Sequence, residues 1–563
     1  MLQYETGNTA EPGAATGPEA ADRSWWRGAV VYQIYPRSFA DSNGDGTGDL
    51  PGILSRLDYV AGLGVDAVWI SPFFKSPMKD FGYDISDYRE VDPVFGTLDD
   101  FDRLVAQAHR RGLRVLIDQV LSHTSDEHPW FRESRQDRTN ARADWYVWAD
   151  ARPDGTPPNN WLSLFGGPAW QWEPRRGQYY LHNFLASQPD LNYHQPAVAR
   201  QVLEDVEFWL QRGVDGFRLD AINYCFHDAL LRDNPPKPPA LRKGRGFAAD
   251  NPYAAQYHVY DNTRPECLTF LEDLRRLADR YPGSVLLGEI GCEDSIGAMG
   301  EYTTGNRRLH TAYGFDLLVD RFSTEHIRTT VETVGERAPG AWPCWALGNH
   351  DVARVASRWA DGGDPAPRAK LLNALLFSLR GSACSYQGEE LGLTQAELPQ
   401  EALRDPFGVA FWPAYPGRDG CRTPMPWTDR EARCGFSSAS PWLPIPPEHR
   451  VLAVDRQEAN PDSVLQAYRR FLRWRRGYPA LRLGSLRFLD SPPDSLCFLR
   501  EHAGRTLLAC FNFGREPCRI ALQGSLEHVA PLTGHGFGPC EVSRGTVTVP
   551  AAGAFFGDLH LPR

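Results

Sequence analysis

Lysine is nearly absent from this sequence. Only five of its 60 basic residues are Lys (Lys75, Lys79, Lys237, Lys243 and Lys370), they are scattered along 563 residues, and the formal net charge is −11. With no basic patch, nucleic acid and anionic membrane surfaces are not expected partners. No two of the 11 Cys stand in a CxxC spacing, which argues against a zinc ribbon or a thioredoxin-type redox motif. The opening stretch, residues 1–24, has no apolar run and carries acidic side chains, so it resembles neither a secretion signal nor a membrane anchor. It is expected to be a disordered lead-in, and free thiols without a signal point to the cytoplasm.

What is present is a folded-protein composition, 42% hydrophobic and 23% charged. The length suits one large domain plus smaller ones. Aromatics reach 12%, with 17 Trp, which suits a core and also a pocket for an uncharged ring-shaped ligand such as a sugar.

Short apolar runs alternate with helical patterns from Trp25 onward. The runs are "AVVYQIYPR" (29–37), "AVWISPF" (67–73), "RVLIDQV" (114–120), "VDGFRLDA" (214–221), "SVLLGEI" (284–290), "YGFDLLVD" (313–320), "CWALGNHD" (344–351) and "ACSYQGEE" (383–390). Most are apolar on both faces, as strands buried between helices must be. Between them, "TLDDFDRLVAQAHRRG" puts Phe101, Leu104, Val105 and Ala108 on one helical face and ends in Gly112. The expected fold is an α/β (β/α)₈ barrel (residues 25–121 and 196–482), with a doubly wound sheet as the alternative. A Trp-, Pro- and Asn-rich subdomain is expected at 122–195 after strand three, and an irregular insertion at about 391–445. From about 483 the pattern becomes short strands separated by turns, which predicts a C-terminal antiparallel β-sandwich.

"DSNGDGTGDL" (41–50) sets Asp41, Asn43, Asp45, Thr47 and Asp49 at alternate positions with glycines between. Such oxygen-bearing side chains on a tightly turning chain suit a hard cation, Ca²⁺ or Mg²⁺. Position twelve of an EF-hand would be Gly52 instead of Glu, which argues against a calcium sensor. A Gly/Asp-rich surface turn without an ion is the competing reading.

In a barrel, reactive groups gather at the carboxyl ends of strands. Those ends here carry Asp118 with His123 beyond it, Arg218 and Asp220, Glu289, and Asn349, His350 and Asp351. One Asp after a strand is usually a helix cap or ion-pair partner. Three carboxylates on one mouth, escorted by Arg and His, are the equipment for splitting a glycosidic bond by acid plus nucleophile.

"GFRLD", "LLGEI" and "LGNHD", in that order, resemble three blocks of glycoside hydrolase family 13. "VYQIYPRSFADSNGDGTGDL", "GYDISDYREVDPVFGTLDDF", "SHTSDEHPWF" and "GRDGCRTPMPW" resemble its α-glucosidase and oligo-1,6-glucosidase branch, and the likeness covers nearly all the chain after Trp25. The resemblance implies that Asp220 is the nucleophile, Glu289 the acid and later base, and Asp351 the carboxylate that grips sugar hydroxyls. It implies substrate contacts from Asp80, Tyr83, His123, Phe184, Arg218, His350 and Arg418. Asp80 and Arg418 would clasp the far hydroxyls of a terminal glucose, which closes that end and makes the enzyme exo-acting. It also implies a structural Ca²⁺ in the 41–49 loop and no organic cofactor.

Departures from the family pattern refine this. Gln119 and Ser122 stand in "DQVLSHT" where a hydrophobic residue and Asn are usual, so a second calcium of the α-amylase kind is not supported. "DQVLSHTSD" resembles bacterial α-glucosidases, some of which transfer glucose to alcohols and phenols. Ala221 is commonly Val in 1,6-specific relatives, which favours α-1,4 linkages unless Ala221 is only a packing choice. The loop from Asn223 to about Arg264 either roofs the acceptor side or is a tolerated surface insertion. Expected partners are maltose and short α-glucosides with sugar or alcohol acceptors, in a monomer or homodimer. Oligo-1,6-glucosidase, sucrose or trehalose isomerase and, remotely, a non-catalytic barrel are the alternatives.

Overall fold

The computed structural model describes residues 23–242 and 250–559. The expectation made for residues 1–22 and the placement of Lys243 lie outside the described residues. Eight parallel strands form the central sheet: β1 (Val30–Ile34), β2 (Ala67–Ile70), β3 (Arg114–Val120), β4 (Gly216–Asp220), β5 (Val285–Ile290), β6 (Thr311–Gly314), β7 (Cys344–Ala346) and β8 (Ser382–Tyr386). Their order runs β6-β5-β4-β3-β2-β1-β8-β7, and a parallel bridge between Ala312 and Pro343 brings β6 and β7 together, so the sheet curls into a barrel. The doubly wound alternative is thereby excluded.

The strands build the barrel by alternation. On β4, Phe217 and Leu219 are fully buried in the large core against the surrounding helices, whereas Arg218 and Asp220 turn to the interior. Val31, Ala67, Trp69, Leu116, Leu287, Tyr313, Cys344 and Cys384 fill that interior below the mouth. The helix at Leu98–Arg110 starts at a capping box between Thr97 and Asp100 and buries the four residues its periodicity marks, Phe101, Leu104, Val105 and Ala108.

Two strands are shorter than expected: β7 stops at Ala346, which leaves Asn349, His350 and Asp351 on the turn beyond it, and β6 departs further. β6 ends at Gly314, and most of "YGFDLLVD" is not strand. Leu317 and Leu318 are buried without pairing, so the run is apolar because it packs as a loop.

The segment after β3 forms a three-stranded antiparallel sheet from Trp148–Ala149, Gln178–Leu181 and Trp170–Glu173. Bridges His123–Asp190 and Tyr146–Leu191 fold its two ends back on each other beside the barrel mouth. At the C-terminal end, a five-stranded antiparallel sheet (from Ser485–Leu489 to Gly553–Leu559) packs on a three-stranded one over a core of Leu499, Leu508, Ile520, Val547 and Phe555. All 11 cysteines are free. Among the described residues, no helix is long and apolar enough to cross a membrane.

Candidate active site

The carboxyl ends of the strands surround a cavity of about 350 Å³. Asp220 ends β4 and Glu289 is the penultimate residue of β5. Arg218 lies between them, fully buried. Its Nη1 donates to Asp220 Oδ1 at 2.6 Å and to Asp118 Oδ1 at 2.9 Å, while Nη2 is 2.5 Å from Glu289 Oε1. Asp220 and Glu289 therefore sit on two arms of one guanidinium and both line the cavity. Glu289 also accepts from Tyr313, its register partner on β6, at 3.0 Å and from the backbone of Ala221 at 3.1 Å.

Charge balance sets the protonation of this group. Burial pushes Asp220 up to about 7 against the pull of Arg218. It pushes Glu289 up to about 7 and Asp118 up to about 6, again against Arg218. One cation facing three carboxylates in a dry site leaves one proton bound near neutral pH, because like charges this close do not all ionise. An acid and an anion thus coexist here.

Ala221, the residue after Asp220, has φ of 39°, in the left-handed region. A β-branched side chain is strongly disfavoured there.

A second charge network closes the floor. Arg418 Nη2 donates to Asp80 Oδ1 and to Asp405 Oδ1, each at 2.8 Å, and Nη1 donates to Asp351 Oδ1 at 3.2 Å. Arg422 Nη2 donates to the same Asp351 oxygen at 3.0 Å. Burial works against the ionised form of Asp351, but His350, Arg418 and Arg422 outweigh it and hold its carboxyl far below the usual range. Burial also keeps His350 neutral, so the two arginines supply the deciding charge. Burial raises Asp80, with Arg418 opposing.

Tyr83 lies parallel to His350 with ring centroids 5.3 Å apart, and its hydroxyl sits 2.6 Å from His350 Nε2 and 3.0 Å from Asp118 Oδ2. His123 Nε2 is 3.0 Å from the Tyr83 carbonyl, and burial holds its imidazole down at about 4. Phe184 packs on His123 at 5.0 Å and on Tyr224 at 5.2 Å. Every residue expected at the sugar site is therefore gathered at one place.

Four neighbours were not foreseen: Asp405, Arg422, Gln188 and Gln33. Gln188 Nε2 lies 3.2 Å from both Asp80 Oδ2 and His123 Nε2. Gln33 Nε2 lies 2.8 Å from His350 Nδ1. Gln33 had a signal, as the one polar residue inside the apolar run of β1. Arg422 had a weaker one, four residues after Arg418. Asp405 caps the short helix Pro406–Phe411, accepting from the Phe407 N–H, and its sequence signal, an Asp before Pro, marks a cap and not a partner for Arg418.

The 41–49 loop lies apart from this cavity. Asp41 accepts backbone N–H bonds from Asn43, Gly44 and Gly46, at 3.0, 2.7 and 2.8 Å. Asn43 accepts from Asp45 N–H, Asp45 accepts from Thr47 N–H, and Asp49 accepts from Gly52 N–H. Gly44 and Gly46 adopt φ of 80° and 94°, and a Cβ on Gly46 would meet the Ser440 carbonyl at 2.1 Å. Among the described residues, no three His, Cys, Asp or Glu side chains gather closely enough to form a metal centre. A mixed set of carboxylate, amide and hydroxyl oxygens still suits a hard cation.

The loop after β4 reaches the cavity through Lys237, Leu241, Tyr253, Ala254 and His258. Lys237 Nζ pairs with Glu293 Oε1, beyond β5, at 2.6 Å.

Comparison with known proteins agrees with the geometry. The alpha-amylase catalytic-domain family matches residues 33–484. A probable alpha-glucosidase of Rhizobium meliloti (strain 1021) is 56% identical over 541 residues, 96% of this chain and 98% of the relative. An oligo-1,6-glucosidase of Parageobacillus thermoglucosidasius is 36% identical, over 88% and 91% of the two chains. The crystal structure of an alpha-glucosyl transfer enzyme, XgtA, superposes with a TM-score of 0.93 at 59% identity, covering 95% of this chain and 99% of that one. The chain belongs to the alpha-amylase catalytic-domain family, glycoside hydrolase family 13.

Proposed function

We propose that this chain is a retaining, exo-acting α-glucosidase that removes terminal α-linked glucose from maltose and short oligosaccharides and passes part of it to sugar or alcohol hydroxyls. The observation that carries this reading is the placement of Asp220 and Glu289 on two arms of the Arg218 guanidinium, inside one cavity. A short carboxylate separation is the arrangement for double displacement.

Asp220 attacks the anomeric carbon as the bond to the leaving oxygen breaks, and Glu289 gives that oxygen its proton. The product is a β-glucosyl ester on Asp220. Glu289, now ionised, takes a proton from water or an alcohol, whose oxygen displaces Asp220 and restores the α configuration. Asp351, kept anionic by Arg418 and Arg422, accepts hydrogen bonds from hydroxyls of the glucose and offsets positive charge at the ring. His123 and His350 hydrogen-bond to ring hydroxyls, Tyr83 stacks on the ring and Phe184 packs beside it.

The pairing of Asp80 with Arg418 supports a pocket closed at the non-reducing end. The loop after β4 supports a limit on acceptor-side length, since Lys237 and Tyr253 also line the cavity. Ala221 supports α-1,4 over α-1,6 cleavage through the space beside it. The similarity to an α-glucosyl transfer enzyme supports transfer alongside hydrolysis. Asp41, Asn43, Asp45, Thr47 and Asp49 would hold Ca²⁺, or Mg²⁺, as a brace that ties the loop after β1 to residues 436–442, with which it already shares backbone bonds. Product analysis on maltose, isomaltose, sucrose and trehalose, with and without an alcohol, tests the reading. It expects glucose and α-glucosides from maltose, and release from isomaltose alone would overturn the linkage.

A further inference from the structure

Behind the turn that carries His350 and Asp351 lies a second, much smaller cavity, of about 10 Å³. Asn349, Arg354 and Glu389 line it, and each is at least nine-tenths buried, at 2%, 3% and 8% exposure. Each also carries side-chain atoms that find no hydrogen-bond partner among the described residues: Asn349 Nδ2, Arg354 Nε and Nη2, and Glu389 Oε1. Unsatisfied groups this deeply buried are uncommon in folded proteins, and here several border one small space.

The other ends of these side chains are occupied. Asn349 Oδ1 accepts the Asp351 N–H at 2.8 Å. Arg354 Nη1 donates to the Gln387 carbonyl at 2.9 Å. Glu389 Oε2 accepts from the Ser385 hydroxyl and the Tyr386 N–H, both at 3.1 Å. The three side chains are therefore held at their other ends, and all three border the cavity. A space of about 10 Å³ holds one water, and a buried water needs two to four polar partners.

We infer that this cavity is a site for one ordered water, hydrogen-bonded to Asn349 Nδ2, Arg354 and Glu389 Oε1, and that through Asn349 it positions Asp351. A metal cation is disfavoured by the guanidinium donors. Burial pushes the Glu389 carboxyl up to about 8, so no full negative charge is needed there at neutral pH. Asn349 is locked at both ends when its Nδ2 is bonded, and its Oδ1 then holds the backbone of Asp351 under Arg418 and Arg422. Glu389 acts here as a positioning residue, three hydrogen bonds removed from Asp351 through the water and Asn349.

The test uses crystals of the full chain together with two variants, Glu389→Gln and Glu389→Leu. The expected result is a single water-sized density peak within hydrogen-bond distance of Asn349 Nδ2, Arg354 and Glu389 Oε1, in the wild type and in E389Q. E389L should lose the peak, and its kcat for maltose should fall by roughly 10- to 100-fold with a smaller change in KM, as misplacement of a reacting group produces. E389Q should restore the rate. Absence of the peak in the wild type overturns the site, as does an anomalous signal there after a bromide soak, which would mark an anion. Full kcat in a folded E389L that lacks the peak overturns the link to Asp351. If E389L does not fold, the wild-type and E389Q crystals and the E389Q rate decide. The density does not depend on the role proposed for Asp351, so the two readings fail separately.

Discussion

Asp405 holds Arg418 from three sides: its carboxylate accepts from Nη2 at 2.8 Å, from Nε at 3.1 and 3.2 Å, and from the Arg418 backbone N–H at 2.6 Å. This clamp consumes the inner edge of the guanidinium and turns its outer nitrogens to Asp80 and Asp351. The floor of the pocket is thus set by a residue that touches neither the sugar site nor the other two acids.

Asp405→Asn should therefore loosen Arg418 and weaken transition-state binding by about 2 kcal/mol, the worth of a lost charge-assisted hydrogen bond. Steady-state kinetics on maltose would show kcat/KM lower by roughly thirtyfold. An unchanged kcat/KM would mean that Asp80 and Asp351 alone orient Arg418.

Asp220→Asn removes the attacking anion and leaves the shape intact. Glucose release from maltose should drop at least about 10⁴-fold. The melting temperature should hold or rise, since one of three carboxylates around Arg218 no longer competes for its charge. Near-normal cleavage would remove Asp220 from its assigned role.

Burial raises Glu289 to about 7, with Arg218 opposing and Asp220 and Asp351 adding to the rise. The acid form is the one that donates, so the Glu289 contribution is present below that value and lost as pH rises through it, while the need for an ionised Asp220, also raised to about 7, sets the acid limb. The profile of kcat/KM for maltose should fall on its alkaline side from about pH 7. Glu289→Gln should abolish that limb for a nitrophenyl glucoside, whose leaving group needs no proton, and should slow maltose far more. A limb that persists in E289Q would belong to another group.

Chelation should act on stability more than on rate. A cation held by the 41–49 loop binds only the folded chain and stabilises it by mass action. Calorimetry with and without a chelator should show a lower Tm, while the initial rate at low temperature stays nearly constant. The opposite pattern would place the ion in the chemistry.

Much of this site was legible because barrel strands announce themselves. "GFRLD" gives both the strand and the side its charges face, since Arg218 and Asp220 are two residues apart. β6 was misjudged because apolar content marks burial, not pairing. Phe315 to Asp320 is a loop that packs its leucines inward. Asp405 escaped because an Asp before Pro reads as a helix cap, which it is, while its second role comes from a partner 13 residues away across a turn.

The central claim is a covalent glucose on Asp220. Glu289→Gln, mixed with α-glucosyl fluoride and quenched in acid, provides the direct measurement, because the fluoride leaves unaided while the variant lacks the base that resolves the ester. Peptide mass mapping should find one added anhydroglucose on the peptide carrying Asp220, cleavable by mild base. The adduct on any other residue, or its absence together with a product of inverted configuration, would contradict the account.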